Sequence, residues 1–175
     1  MKVQDLVICL DPGMSLGHCA FVGDTLINGG VITSLPKDFA SASLRLHKQF
    51  KDIVTLIKEY KVFAKQKLGV ERLNIKVVAE DVTQTFRQTR NVGPHTWLLV
   101  ASYCMIFAAC GKLGVPLYTC SPSAIKKSFT GKGRADKHRM RRELRERFPE
   151  LPDNEHIADA VGMYFDYLDK HGTQA

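Results

Sequence analysis

The stretch Leu6-Val7-Ile8-Cys9-Leu10-Asp11-Pro12-Gly13 decides how this chain is read. Five apolar residues make a short buried strand and Pro-Gly a turn, so the carboxylate of Asp11 stands where that strand leaves the core. The pattern returns in Ile75-Lys76-Val77-Val78-Ala79-Glu80, which delivers a second acid to a second strand end. A third acid, Asp159, falls on a predicted helix near the C-terminus. Gathered at one edge of a sheet, the three would offer hard oxygen donors to divalent metal ions.

Working outward, residues 6–10, 17–23 and 27–33 read as strands joined by turns at Asp11-Pro12-Gly13 and Gly23-Asp24. Turns that short hold no helical crossover, so these strands form an antiparallel meander. Over 39–60, Leu44, Phe50, Ile53, Leu56 and Ile57 recur at helical spacing, and 61–72 either extends that helix or forms a loop. Residues 74–79 make a fourth strand, 81–94 an exposed polar loop, 95–112 a mostly apolar helix and 116–120 a fifth strand. A short helix over 122–129 opens on a proline, and a basic helix spans about 134–148. Asp153 or Asn154 can cap a last helix running to about 168. This order predicts an α/β domain whose first and fourth strands are parallel neighbours, with ligands collecting at the carboxyl ends of the strands.

With 175 residues and 45% hydrophobic content, the chain supports one core, and a single domain over 1–175 is expected. Its five cysteines include no Cys-x-x-Cys pair, which argues against a disulfide framework or a structural zinc site and points to a reducing compartment. No secretory signal is visible at the N-terminus, and the longest apolar stretch, 98–110, reads as too short to span a bilayer. A cytoplasmic location is expected. The net charge of +7 is uneven: residues 122–150 hold ten Lys or Arg against four acids. A basic concentration beside an acidic site suits a polyanion whose phosphates are held near metal ions, although a solvated helix face would have the same composition.

On the last helix, His156 and Asp159 are three residues apart and share a face with Ala160, Met163 and Tyr167. An aspartate on an inward stripe calls for a partner, a hydrogen bond or a metal. On the basic helix, Lys137 lies on the side of Met140, Leu144 and Phe148, where a lysine either snorkels or reaches an anion at the edge of the core.

Four segments in this order and spacing carry a resemblance. Asp11-Pro12-Gly13, Glu80, the stretch from Ile125 through Thr130-Gly131-Lys132-Gly133-Arg134 to Lys137, and His156-Ile157-Ala158-Asp159-Ala160 resemble the RuvC family of Holliday-junction resolvases over about residues 5–168. The resemblance implies an RNase H-like fold, a five-stranded mixed sheet of three antiparallel and two parallel strands flanked by helices. It also implies a homodimer that cuts two opposed strands of a four-way DNA junction, using divalent metal. By position, Asp11, Glu80 and Asp159 take the places of the family's metal-binding carboxylates. His156 stands where many members have aspartate, and Glu155 is the rival for that place. Two ions, Mg²⁺ or Mn²⁺, would activate a water and stabilise the leaving oxygen at phosphorus.

Lys126 and Lys137 match positions of functional lysines in the family, and Lys132 and Arg134 lie in the matched basic segment as further DNA contacts. The family loop after the catalytic glutamate corresponds to 81–94. Where many members carry an aromatic wedge this chain has Thr83, and its only loop aromatic, Phe86, either stacks on an unpaired base or anchors the loop. Arg87 and Arg90 suit phosphates or base edges. The apolar helix 95–112 either joins two copies of the chain or lies in the core. Other readings are a nuclease for branched DNA in general or for RNA/DNA hybrids, and a junction-binding protein without catalysis. A sugar-kinase type of enzyme would need two domains, which this length does not supply.

Overall fold

The computed structural model describes residues 3–33, 42–83 and 93–172. One sheet holds β1 (Gln4–Asp11), β2 (Ser15–Val22), β3 (Thr25–Thr33), β4 (Leu73–Glu80) and β5 (Leu117–Cys120) in the order β3-β2-β1-β4-β5. β2 runs antiparallel to β1 and β3, while β1, β4 and β5 are parallel. This is the expected mixed sheet. Five helices flank it among the described residues: α1 (Ala42–Leu68), α2 (Pro94–Leu113), α3 (Pro122–Thr130), α4 (Lys137–Arg147) and α5 (Glu155–His171).

Most boundaries move by one to three residues from expectation. The open question over 61–72 resolves as helix to Leu68, where α1 ends, and as a turn over 69–72. α4 starts at Lys137 because Asp136 caps it, its carboxylate accepting from Arg139 N at 2.8 Å. Asn154 caps α5 by accepting from His156 N at 2.8 Å, while Asp153 turns back to α4.

Each face of the sheet has its own core, and strand periodicity assigns every residue to one of them. Val7, Cys9, Cys19, Phe21 and Val78 point to the face covered by α5, with α3 and α4 packed outside it. Leu6, Ile8, Leu10, Leu16, Ala20, Val77 and Ala79 point to the face covered by α1 and α2. β1 is central and buried on both faces, hence an unbroken apolar run rather than an alternating one.

On the first face, α5 is buried around most of its circumference, from Ile157 and Ala158 to Tyr167. Gly162 makes that possible: a β-carbon there would stand 2.8 Å from Ile125 Cγ2, so α3 packs directly on the helix backbone. Phe21 stacks on Tyr164 with centroids 3.9 Å apart, and the Tyr164 hydroxyl donates to the carbonyl of Gly23, a turn glycine at φ +52°. On the second face, α2 is less covered. Its stretch Thr96–Leu113 is long and apolar enough, by length and composition, to cross a membrane, and 22% of it is buried. The expectation that this stretch is too short is thereby corrected: the helix continues past 98–110 at both ends. Core helices of soluble proteins have the same character.

Candidate active site

Asp11 and Glu80 end β1 and β4, and the register aligns Leu10 with Ala79 immediately before them. Both acids therefore leave the sheet side by side at its carboxyl edge. Strand parity sets their direction: Asp11 follows Val7 and Cys9, and Glu80 follows Val78, so both face α5. The first turns of α5 bring the other half of the site. His156 Nδ1 lies 2.8 Å from Asp11 Oδ2, and Asp159 follows one turn later.

Gly17 permits that approach. It pairs with Asp11 across the sheet, and a β-carbon on it would stand 2.2 Å from the carbonyl oxygen of His156 and 2.6 Å from its Cβ. Backbone cannot yield at such distances, so a side chain here would push the start of α5 off the sheet and His156 away from Asp11.

The turn after Asp11 is held from the opposite face. Ser102 Oγ of α2 accepts from Gly13 N at 3.0 Å and donates to Gly13 O at 3.1 Å. Gln49 Nε2 of α1 donates to the same carbonyl at 2.8 Å and to Ser102 Oγ at 2.8 Å. Gln49 and Ser102 are 3% and 0% exposed. Sequence reasoning missed all three positioning residues. Gly17 sits within a strand whose glycine carried no signal by itself, and Gln49 and Ser102 are ordinary polar residues until the fold shows them buried.

The electrostatics are those of acids held together against repulsion. Burial, followed by the charges of Asp11 and Asp159, pushes Glu80 up to about 7. Burial and Asp11 likewise push Asp159 up to about 7. Burial raises Asp11 too, opposed by the hydrogen bond from His156, whose own pKa that bond raises. The charge of Lys126, on α3, opposes the rise at both Glu80 and Asp159.

Lys137 is not on a buried stripe. Its side chain is 77% exposed, and its ammonium pairs with Glu155 Oε2 at 2.7 Å. Standing at the start of α4, it projects beyond the apolar side set by Met140 and Leu144, and its field still reaches Asp11 and Asp159. Glu155 is thus engaged by Lys137, and His156 by Asp11. Lys132 and Arg134 are exposed between α3 and α4. Asp81 accepts from both Thr83 N, at 2.9 Å, and Thr83 Oγ1, at 2.6 Å, tightening the exit from β4. Phe86, Arg87 and Arg90 lie outside the described residues.

Among the described residues, no three His, Cys, Asp or Glu side chains stand close enough to chelate an ion as they lie. The donor chemistry nevertheless fits hard divalent cations: three carboxylates of raised pKa, two of them strand-end acids, whose crowding a cation would relieve.

Relatives share both sequence and architecture. The chain is 29% identical over 147 residues to the crossover junction endodeoxyribonuclease RuvC of Nitratidesulfovibrio vulgaris, a match that spans 80% of this chain and 75% of that protein. The Thermus thermophilus RuvC structure superposes with a TM-score of 0.66 at 22% identity, covering 96% of this chain and 97% of that one. The chain is RuvC-like in sequence and in fold. A second Thermus RuvC structure, in complex with a Holliday junction substrate, superposes with a TM-score of 0.65 at 21% identity, over 93% of this chain and 92% of that one. The yeast mitochondrial Holliday junction resolvase shares the fold at 12% identity and a TM-score of 0.54, over 96% of this chain and 79% of that one. No family model matches. The RNase H-like expectation for the sheet agrees with these RuvC-like neighbours.

Proposed function

We propose that this chain is a structure-selective endodeoxyribonuclease that resolves four-way DNA junctions by metal-dependent hydrolysis of phosphodiesters. The observation that carries the reading is the gathering of Asp11, Glu80, Asp159 and His156 at one sheet edge, in a RuvC-like chain. Asp11, Glu80 and Asp159 would hold Mg²⁺ or Mn²⁺, two ions per site. When bound, such ions supply an activated nucleophile and stabilise the leaving 3′ oxygen.

The chain's own groups do the rest. With Nδ1–H donated to Asp11, the neutral His156 ring leaves Nε2 as a free acceptor, available as a ligand or as a proton acceptor. Lys126 offsets part of the acids' charge. Lys137, held at the rim by Glu155, is placed to take a phosphate once DNA arrives, and Lys132 and Arg134 extend that cationic rim. Phe86, Arg87 and Arg90 would contact bases and backbone near the junction centre.

Two copies would place two such sites on a twofold-symmetric junction. α2 is the surface for that association, with Trp97 60% and Phe107 66% exposed on a helix of apolar composition.

The test uses purified protein with a labelled four-way junction, a Y-fork, linear duplex and RNA/DNA hybrid, each with Mg²⁺ or Mn²⁺. Symmetric nicks on the junction alone are expected. Cutting of forks or hybrids at equal rate would replace the junction with a broader substrate class, and binding without cutting in either metal would make the chain a non-catalytic junction binder.

A further inference from the structure

The outer face of α4 carries more cation than its helix can use. His138, Arg141, Arg142 and Arg145 fall at i, i+3, i+4 and i+7, opposite the buried Met140 and Leu144, and with Arg139 and Asp136 they line an open cleft of about 600 Å³. Arg141 and Arg145 are like charges one turn apart, offset by one shared carboxylate, and the first turn holds Lys137, His138 and Arg139 with the capping Asp136 before them. None of these cations fills the core, so packing does not account for them.

A single carboxylate organises the cleft. Asp153 takes Arg141 as a bidentate partner, Nε to Oδ1 at 2.8 Å and Nη2 to Oδ2 at 2.7 Å, and takes Arg145 Nη1 on Oδ2 at 2.8 Å. Arg139 is tied to the carbonyl of Thr130 at 3.0 Å. The guanidinium groups of Arg139, Arg141 and Arg145 are thus held in place with donors to spare, the preorganised forks that bind phosphate bidentately, while the exposed Arg142 faces Glu146 Oε1 at 3.8 Å.

We propose that this face of α4, held by Asp153, binds the phosphate backbone of a DNA arm next to the cleavage site. The inference rests on the nuclease reading, because Lys137 at the start of the same helix already stands at the rim of the acids. From residue 138 to 145 the helix advances about 10 Å, and a DNA strand rises about 3.4 Å per nucleotide. The face therefore spans two or three successive phosphates.

Salt dependence tests it. Binding of a long-armed four-way junction is measured in EDTA over a series of salt concentrations, for the unaltered protein, for Arg142→Gln with Arg145→Gln, and for Lys58→Gln with Lys65→Gln on α1. Loss of two phosphate contacts lowers the slope of log K against log salt by about 1.8. That fall is expected for the arginine pair and not for the lysine pair, although the net charge changes equally. Asp153→Asn removes a negative charge yet is expected to weaken binding by releasing two arginines. Tighter binding by Asp153→Asn, or equal slopes for the two pairs, would overturn the site. If the unaltered protein neither binds nor cuts the junction, the nuclease reading fails as well; if it does both while the arginine pair keeps its slope, only the α4 site fails.

Discussion

The two faces of the sheet are finished differently. On the face of α5, aromatic stacking and two close backbone approaches close the packing up to the acid edge with His156. On the face of α1 and α2, Gln49 and Ser102 reach through to hold the turn after Asp11, and Trp97 and Phe107 are exposed. One face thus carries the acids while the other carries the contacts that hold their turn and an exposed apolar helix. The difference teaches that the position of Asp11 is set from both sides of the sheet, by His156 from one and by Ser102 from the other.

The largest break in this comparison is Asp11→Asn. It removes charge without volume, so junction binding persists while cleavage falls by at least about a hundredfold, on the order of 2.7 kcal/mol of transition-state stabilisation. A single-turnover assay beside a gel shift separates the two. Gly17→Ala acts on the same face through packing. Its β-carbon meets backbone, and a loss of about 3 kcal/mol is expected as a lowered urea midpoint, with cleavage reduced beyond what the unfolded fraction explains.

Ser102→Ala tests the other side. It strands the Gly13 amide and one contact of Gln49, for about 1–3 kcal/mol, and should lower turnover although Ser102 touches no substrate. If urea stability falls while turnover per folded molecule is unchanged, the turn's grip on Asp11 is only structural.

The faces also carry opposite pH slopes. Glu80 and Asp159 have folded pKa values raised to about 7, so the stability linked to them is full below about pH 4 and is lost as pH rises through 7. Without metal, the urea midpoint should fall between pH 5 and 8, and added Mg²⁺ should restore it at pH 8. His18, buried against Tyr60 on the second face and lowered to about 4, has the reverse sign: its contribution is present above about 6.5 and is lost as pH falls through 4. The smallest effect on the fold is expected from Trp97→Glu with Phe107→Glu. Stability should move by about 0.5 kcal/mol or less, while sedimentation shifts toward the monomer.

Much of the candidate site is legible in the sequence because its signals are local. Asp11 and Glu80 end apolar runs, and a strand end marks a sheet edge whatever surrounds it. Strand parity could also have told that both acids face one side, since Val7, Cys9 and Val78 share their phase. The side chain of Lys137 was harder to place. Helical phase put it with Met140 and Leu144, but at the first residue of α4 no preceding turn covers it, and Glu155 of another helix draws it outward.

By itself the sequence determined the order of strands and helices, the acids at strand ends and the basic stretch before α5, because periodicity and turn chemistry act within a few residues. Only the tertiary structure decided that His156 bonds Asp11, that Gly17 clears a path for α5, that Ser102 and Gln49 pin the turn, and that Asp153 holds two arginines. These contacts join residues far apart in the chain. Which of them form depends on how closely helices settle on a sheet, and that is fixed by side-chain volume across the whole core rather than by any local pattern.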